Sequence, residues 1–385
     1  MSVPVHYVSA RSYAGDELQN ALHTLFEGLL RDHGSLAGKK VLLKPNLLFC
    51  RHREDPAAVH PDLITAVCRK LFAAGAASVT LLENPGTQHV GAIIEKMELA
   101  ETLEQLQVKF ADFSDYREMK LPSQCCFRQL KIAREFENFD VIVDLAKAKT
   151  HAMMTLTLAV KNLFGLIDSA DRLSWHLAVG SDFGLFADLL LDLYLTVKPH
   201  ISIIDGIIGM EGNGPGSGTP VASGFLAGST DALALDASVA KILGVESKDL
   251  ILLRRAESRG LPFDYENKGD LPSPAPYKLP DPPGLLNAWG VTLPPFFKKQ
   301  LRNWAGTRPV LVRSEECISC GRCAKVCPPA SLKMKETENK KLPVFDLDNC
   351  IRCYCCQEHC PQGAIESRPQ LLNGWLSNLV KIFRR

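Results

Sequence analysis

Two cysteine strings near the C-terminal end, CISCGRCAKVCPP and CIRCYCCQEHCPQG, constrain this chain more than any other feature. Each carries the spacing C-x2-C-x2-C-x3-C-P. The first supplies Cys317, Cys320, Cys323 and Cys327 before Pro328, and the second Cys350, Cys353, Cys356 and Cys360 before Pro361. The two-residue gaps let a tight turn set three thiolates around one face of a cubane iron–sulfur cluster, and the fourth cysteine of each string crosses to the other cluster. The expected ligand sets are therefore Cys317, Cys320, Cys323 and Cys360 for cluster I, and Cys350, Cys353, Cys356 and Cys327 for cluster II. Tetrahedral zinc also takes four cysteines, but it leaves the x3-C-P ends unexplained. Cys355 falls outside the spacing and is expected to turn away from cluster II, as a packing or solvent-facing thiol.

The two strings are separated by 22 residues and together resemble the bacterial-type ferredoxin domain with two [4Fe-4S] clusters, over about residues 308–370. The resemblance implies pseudo-twofold symmetry, clusters close enough for fast electron transfer, and a low reduction potential. Gly321 and Gly363 fit the close approach of chain to cluster. Eight thiolates and two oxidised cores turn the formal net charge of +1 into about −3. Of 13 cysteines, nine lie between Cys317 and Cys360. Their spacing favours metal over a disulfide scaffold.

A chain of 385 residues, 46% of them apolar, has room for a second and larger core. VPVHYVS, KKVLLKPNLL and ASVTLLENPG read as strands, separated by the helical patterns LQNALHTLFEGLLRDHG and PDLITAVCRKLFAAG. The alternation predicts a layered α/β domain, with two sub-lobes allowed, followed by a small α+β ferredoxin-like domain. Farther on, ENFDVIVDLAKAKTH reads as a buried strand running into a polar loop, and TLTLAVKNLFG as the start of a helix ending at Gly165. DFGLFADLLLDLYLTVKP and TDALALDASVAKILG read as helices, and HISIIDGIIGM as a strand before the glycine-rich loop EGNGPGSGTP. The expected domains are 1–300, with a proline-rich linker from about 254, then 308–370, then a basic amphipathic tail at 371–385. PPFFKKQLRNWAG reads as a short helix leading out of the linker.

Four polar groups fall at strand ends or in loops, where α/β domains build sites. KPNLL offers Lys44 and Asn46, and LLENPG offers Glu83 and Asn84. DLAKAKTHAMMTLTLAVKNLFG is the richest, with Asp144, Lys147, Lys149, His151, Lys161 and Asn162 interrupting apolar sequence. Lys147, Lys149 and His151 alternate and so share one side of an extended chain. Grouped cations favour an anionic ligand. His151 is the expected proton donor, with Lys149 and Lys161 as its catalytic partners. The fourth group, DGIIGMEGNGPGSGTP, contributes Asp205, Gly209, Glu211 and Gly212, either as an anion cradle or as a lid. It lacks the lysine and ordering of a P-loop.

Taken together, KPNLL, HPDLITAVCRKLFAAGA, LAKAKTH, AVKNLFG and DGIIGMEGNGP resemble the DUF362 family, a large domain often joined to a ferredoxin domain. The resemblance covers most of 1–250 and marks Lys44, Asn46, Lys149, His151, Lys161, Asn162, Gly165, Asp205, Gly206, Gly209, Glu211 and Gly212 as matching positions. A more distant similarity to the lactate racemase superfamily implies a cleft between α/β halves, which fixes a shape and not a reaction. Two functions compete. One is a ferredoxin-dependent oxidoreductase acting on a small anion or another cofactor; Lys147, with Lys44, Asn46, Asn162, Asp205, Gly209, Glu211 and Gly212, would then bind it. The other is an electron carrier or assembly factor whose large domain docks a protein. The first predicts a concave pocket where Lys44, Lys149, His151 and Lys161 converge, and the second an open face.

A redox protein partner is expected. Near-neutral charge without a basic run argues against nucleic acid. No signal-like segment or apolar run of spanning length is evident, so a soluble cytoplasmic protein is expected. In the tail, Trp375, Leu376, Leu379, Val380 and Phe383 against Lys381, Arg384 and Arg385 suggest peripheral membrane contact, weighed against packing on the ferredoxin domain.

Overall fold

The computed structural model describes residues 2–180, 182–280 and 307–369. The expected short helix at 294–306 and the tail at 371–385 lie outside the described residues. The first part of the chain runs β1 (Val3–Ser9), α1 (Gly15–His33), β2 (Lys40–Pro45), α2 (Pro61–Ala73), β3 (Ser78–Glu83), α3 (Val90–Lys96), α4 (Ala100–Gln105) and β4 (Lys109–Asp112). A small hairpin of β5 (Tyr116–Lys120) and β6 (Gln129–Ala133) follows. Then come β7 (Val141–His151), β8 (Thr155–Thr157), α5 (Ala159–Asn162), α6 (Ser169–Val179) and α7 (Phe183–Val197). The large unit closes with β9 (Ile201–Glu211), β10 (Thr219–Ser229), α8 (Ala232–Ile242), α9 (Ile251–Ser258) and β11 (Tyr265–Gly269).

These strands make one nine-stranded sheet in the order β11-β1-β10-β9-β7-β2-β3-β4, with β8 beside β7. β9, β7, β2, β3 and β4 are mutually parallel neighbours, while β10 is antiparallel to both β9 and β1. Helices cover both faces. Leu22 and Leu25 of α1 and Leu63 and Val67 of α2 pack on one face, and Phe186 and Leu190 of α7 with Leu233 of α8 pack on the other. Sandwiched between them, β7 is buried at all eleven positions, as expected of a parallel strand covered on both faces. The helix ends follow local chemistry. Pro61 opens α2, with the His60 ring accepting from the Asp62 amide, and Gly34 ends α1 at a φ of 99°.

One strand runs farther than the sequence suggests. β7 continues through Lys147, Lys149 and His151 rather than breaking into a polar loop, because each of these side chains finds a partner inside the fold. β9 follows the strand read over HISIIDGIIGM and ends at Glu211. AVKNLFG forms the short α5 and a 3-10 turn at Leu163–Leu166, after the strand β8. In the stretch after 254, α9 runs on to Ser258 and buries Ala256, β11 pairs in parallel with β1, and Tyr277 is buried. This part of the expected linker therefore belongs to the large unit.

The small domain contains β12 (Thr307–Leu311), α10 (Arg322–Lys325), β13 (Leu332–Glu336), β14 (Lys341–Phe345), α11 (Cys355–Glu358) and β15 (Ile365–Pro369). β12 pairs with β15 and β13 with β14, both antiparallel. The backbone repeats along with the cysteines. Left-handed residues occur at matched places in both strings: Ser319 and Arg352, Gly321 and Tyr354, Ala330 and Gly363. Among the described residues no helix is long and apolar enough to cross a membrane.

Candidate functional site

The C-terminal ends of β2, β3 and β7 lie side by side, and each delivers a charged residue to one pocket of about 470 Å³. Lys44 Nζ, from β2, donates to Glu83 Oε2 of β3 at 2.6 Å and to Asn162 Oδ1 of α5 at 2.9 Å. Asn46 Nδ2 donates to the same Asn162 oxygen at 2.9 Å. Lys149 Nζ, from β7, donates to Asn46 Oδ1 at 2.6 Å and to the Ala57 carbonyl at 2.8 Å. Gly165 closes over this group because nothing larger fits: a Cβ there would stand 2.2 Å from Glu83 Oε1 and 2.9 Å from Lys44 Nζ.

Beneath the pocket, Asn162 Nδ2 donates to Asp144 Oδ1 at 2.7 Å, while Asp144 Oδ2 has no hydrogen-bond partner among the described residues. Burial pushes the Asp144 carboxyl up to about 7, against the pull of Lys44 and Asn162. The folded state thus holds a proton that the unfolded chain releases above the ordinary carboxylate range. Stability from this group is full below that range and is lost as pH rises through about 7. Asp144→Asn is expected to flatten the fall in urea midpoint between about pH 5.5 and 7.5. An identical slope in the variant contradicts the assignment.

The pocket holds more positive than negative charge. Lys161 also lines it and makes no hydrogen bond or ion pair among the described residues; its Nζ lies 5.8 Å from the centre of the Phe164 ring. Arg172 Nε donates to the Ile167 carbonyl at 2.8 Å and its Nη2 to the Asn84 carbonyl, with no ion pair to a carboxylate among the described residues. Burial lowers Lys149 well below the ordinary lysine value, and Lys147 and Lys161 add to the effect. Burial also lowers Lys161, with Arg172 and Lys44 acting in the same direction and Glu358 opposing.

Glu358 comes from the ferredoxin domain and lines the same pocket. It lies on α11, two residues after Cys356. His151 stands behind it rather than in the pocket lining, with Nε2 2.9 Å from Glu358 Oε1. His151 Nδ1 accepts from the Met153 and Met154 amides at 3.1 and 3.3 Å, which leaves the proton on Nε2, facing the carboxylate. Burial lowers His151, and it takes His176 down to about 4. Burial alone would raise Glu358; contact with His151 and the nearby Lys161 and His176 outweighs it and holds the carboxyl below its ordinary range. Glu358 and Arg172 escaped the sequence reading. The first was hidden inside a string explained by its cysteines, and the second stood alone in a polar helix.

The remaining candidates lie elsewhere. Lys147 Nζ pairs with Asp205 Oδ2 at 2.7 Å in a separate pocket, where Tyr13 donates to Asp205 Oδ1 at 2.7 Å and stacks on His60. Gly209 lies against Tyr277, the Glu211 carboxylate accepts from the Lys278 amide at 2.9 Å, and the Gly212 amide donates to the Lys278 carbonyl at 2.7 Å. These three hold the strap at 277–278 and are not brought to the cation pocket.

The glycine-rich loop after them docks the ferredoxin domain. Gln357 Nε2 donates to Asn213 Oδ1, Ser217 Oγ donates to the Cys360 carbonyl at 3.2 Å, and Arg51 Nη1 reaches the Pro361 carbonyl at 3.3 Å. Gly216 is required there, since a Cβ would sit 2.5 Å from the Glu358 carbonyl oxygen.

Within the small domain the thiols group as the spacing requires. Cys317, Cys320, Cys323 and Cys360 line one pocket of about 340 Å³, and Cys327, Cys350, Cys353 and Cys356 line another of about 310 Å³. Each combines three thiols of one string with the last thiol of the other. Among the described residues no three His, Cys, Asp or Glu side chains close on a point as a single ion requires. Four thiols spread around a pocket instead suit a cubane, whose irons each take one. Cys355 is buried and packs with Val326, Leu173 and Ile351, outside both pockets.

Residues 41–241 match the family described as a domain of unknown function, DUF362, and residues 316–364 match the 4Fe-4S dicluster domain. The first match spans more than half of the chain. The chain belongs to the DUF362 family. A thylakoid-associated protein of Synechocystis sp. is 31% identical over 259 residues, covering 67% of this chain and 79% of that protein. An uncharacterized ferredoxin of Methanocaldococcus jannaschii is 41% identical over 56 residues, covering 14% of this chain and 73% of that protein. The lactate racemase apoprotein from Thermoanaerobacterium thermosaccharolyticum aligns with 60% of this chain and 55% of its own at 15% identity and a TM-score of 0.37. This DUF362 protein therefore carries two [4Fe-4S] clusters and transfers electrons.

Proposed function

We propose that this DUF362 protein is a ferredoxin-coupled oxidoreductase that delivers electrons to a small anionic substrate in the cation pocket. The observation that carries the reading is the meeting of Lys44, Lys149, Lys161 and Arg172 with Glu358 in one pocket, Glu358 standing two residues from a cluster cysteine. A docking module would spread these cations over an open face; here Lys44 and Lys149 are buried. The clusters supply electrons one at a time. Lys161 and Arg172, which make no ion pair among the described residues, attract the anion. The Asn46–Asn162 bridge holds Lys44 and Lys149 in place. Lys161, lowered by burial, is the proton donor that faces the pocket, since His151 stands behind Glu358.

The test is anaerobic reoxidation of the reduced holoprotein by a panel of small carboxylates, oxo acids and phosphate esters, followed by cluster absorbance. One class is expected to reoxidise the protein with saturation. Lys161→Ala is expected to weaken that saturation by roughly one to two orders of magnitude, the scale of a charge-assisted contact. If no anion accelerates reoxidation, or if Lys161→Ala leaves the response unchanged, the reading fails.

A further inference from the structure

A second pocket, of about 500 Å³, opens beside the cation pocket. Lys147 and Lys149 share one side of β7, yet Lys147 lines this pocket and Lys149 the other. Residues 55–58 stand between them. The Ala57 carbonyl accepts from Lys149 Nζ, while Pro56 and Ala58 line the second pocket together with Ile208 and Pro220. Among the described residues none lines both pockets.

The acceptors of this pocket are taken. Asp205 Oδ1 accepts from the Tyr13 hydroxyl at 2.7 Å and the Ile207 amide at 3.2 Å, and Oδ2 from Lys147 Nζ at 2.7 Å and the His60 amide at 3.5 Å. Asp55 Oδ1 accepts from Arg51 Nη2 at 2.7 Å and the Ala57 amide at 3.0 Å, and Oδ2 from Arg51 Nε at 2.7 Å and the Arg51 amide at 2.8 Å. The Tyr13 hydroxyl in turn accepts from Lys147 Nζ at 3.2 Å and the Ile208 amide at 3.1 Å. Two donors are left over. Lys147 Nζ carries three N–H groups and uses two among the described residues. His60 Nδ1 accepts from the Asp62 amide at 3.3 Å, which places the ring proton on Nε2. That nitrogen stands 4.0 Å from Glu54 Oε1, too far for a hydrogen bond.

Charge is matched as well. Lys147 faces Asp205 and Arg51 faces Asp55, and both carboxylates are buried. Burial lowers His60 below its ordinary value, against the pull of Asp205 and Asp62, so the ring adds no charge at neutral pH. At the rim Arg53 is shared among Glu54, Asp62 and Glu98, an acidic balance. An anion would meet this rim and two buried carboxylates with no cation left to receive it. A cation would find the buried carboxylate oxygens already occupied. The cation pocket next door has the opposite make-up.

We propose that this pocket is a second ligand site, for an uncharged carbonyl compound with a small apolar body. The carbonyl oxygen accepts from His60 Nε2 and from the remaining Lys147 N–H, and the body lies against Pro56, Ala58, Ile208 and Pro220. Binding makes and breaks no covalent bond. The inference goes beyond the anion reading and does not depend on it.

The test is ligand-detected NMR titration of the anaerobic holoprotein with benzamide, benzoate and benzamidinium, three probes of one shape and three charges. Benzamide is expected to bind saturably, and the two ions at least about tenfold more weakly. Inorganic phosphate, directed to the cation pocket, is expected to leave benzamide bound. His60→Phe keeps a ring beside Tyr13 and removes the Nε2 donor; it is expected to weaken benzamide about five- to tenfold. Ile208→Trp fills the pocket from a half-buried position and is expected to abolish binding, with both variants holding their full iron. The proposal is overturned if benzamide does not bind, if either ion binds as tightly, or if phosphate displaces it. Benzamide affinity unchanged in either variant overturns it too.

Discussion

Alanine at Cys327 is expected to remove cluster II, whose other ligands belong to the second string, and to spare cluster I. Iron should fall from about eight to about four per chain, and Cys360→Ala should do the same through the other cluster. The double variants separate crossed from uncrossed ligation. Cys327→Ala with Cys350→Ala strikes one pocket twice and should cost no more iron than either change alone. Cys317→Ala with Cys327→Ala strikes both pockets and should leave almost none. Uncrossed strings invert the pattern, so iron analysis of four proteins decides it. Cys355→Ser, altering a buried thiol outside both pockets, should retain all the iron.

The second large effect concerns docking. Valine at Gly216 drives a Cβ to 2.5 Å from the Glu358 carbonyl oxygen and 2.8 Å from the Phe49 ring, and both neighbours are held by backbone or core packing. Independently, Glu358→Lys replaces the carboxylate facing His151 and Lys161 with a like charge in a buried site. Breaking a buried charge contact costs roughly 3–5 kcal/mol. That is a hundredfold or more in the docking equilibrium. Either variant is expected to raise amide hydrogen exchange across 212–218 and 355–360 by about that factor while β1 to β4 stay protected. Iron content is the control that the clusters survive. Unchanged exchange in both variants contradicts the docking role of the loop.

How much of this was legible beforehand depended on the kind of signal. Cysteine spacing stated the ligand sets, because a cubane imposes fixed gaps on the chain. Helix signals such as Pro61 and Gly34 marked their boundaries, because they act locally. Lys44, Asn46, Lys149, Lys161 and Asn162 line one pocket and His151, expected with them, does not; strand ends and interrupted apolar runs expose such residues to notice. The course of β7 was not legible. Lys147, Lys149 and His151 look like a solvated loop until Asp205, Asn46 and Glu358 are seen to satisfy them, and those partners are 58, 103 and 207 residues away along the chain. The glycine-rich loop read equally as cradle or lid because glycine announces close approach without naming what approaches. Here that is the ferredoxin backbone. Glu358 was hidden in a string its cysteines already explained, and its partner His151 lies in the other domain.

The most direct test of the whole account is anomalous diffraction from anaerobically grown crystals soaked in bromide, recorded at the iron and bromine edges. The account predicts two four-iron cubanes in the crossed thiol pockets and a bromide ion among Lys149, Lys161 and Arg172, beside Glu358. Single metal ions on either cysteine string, or a cation pocket that takes up no anion while bromide binds elsewhere, would contradict it.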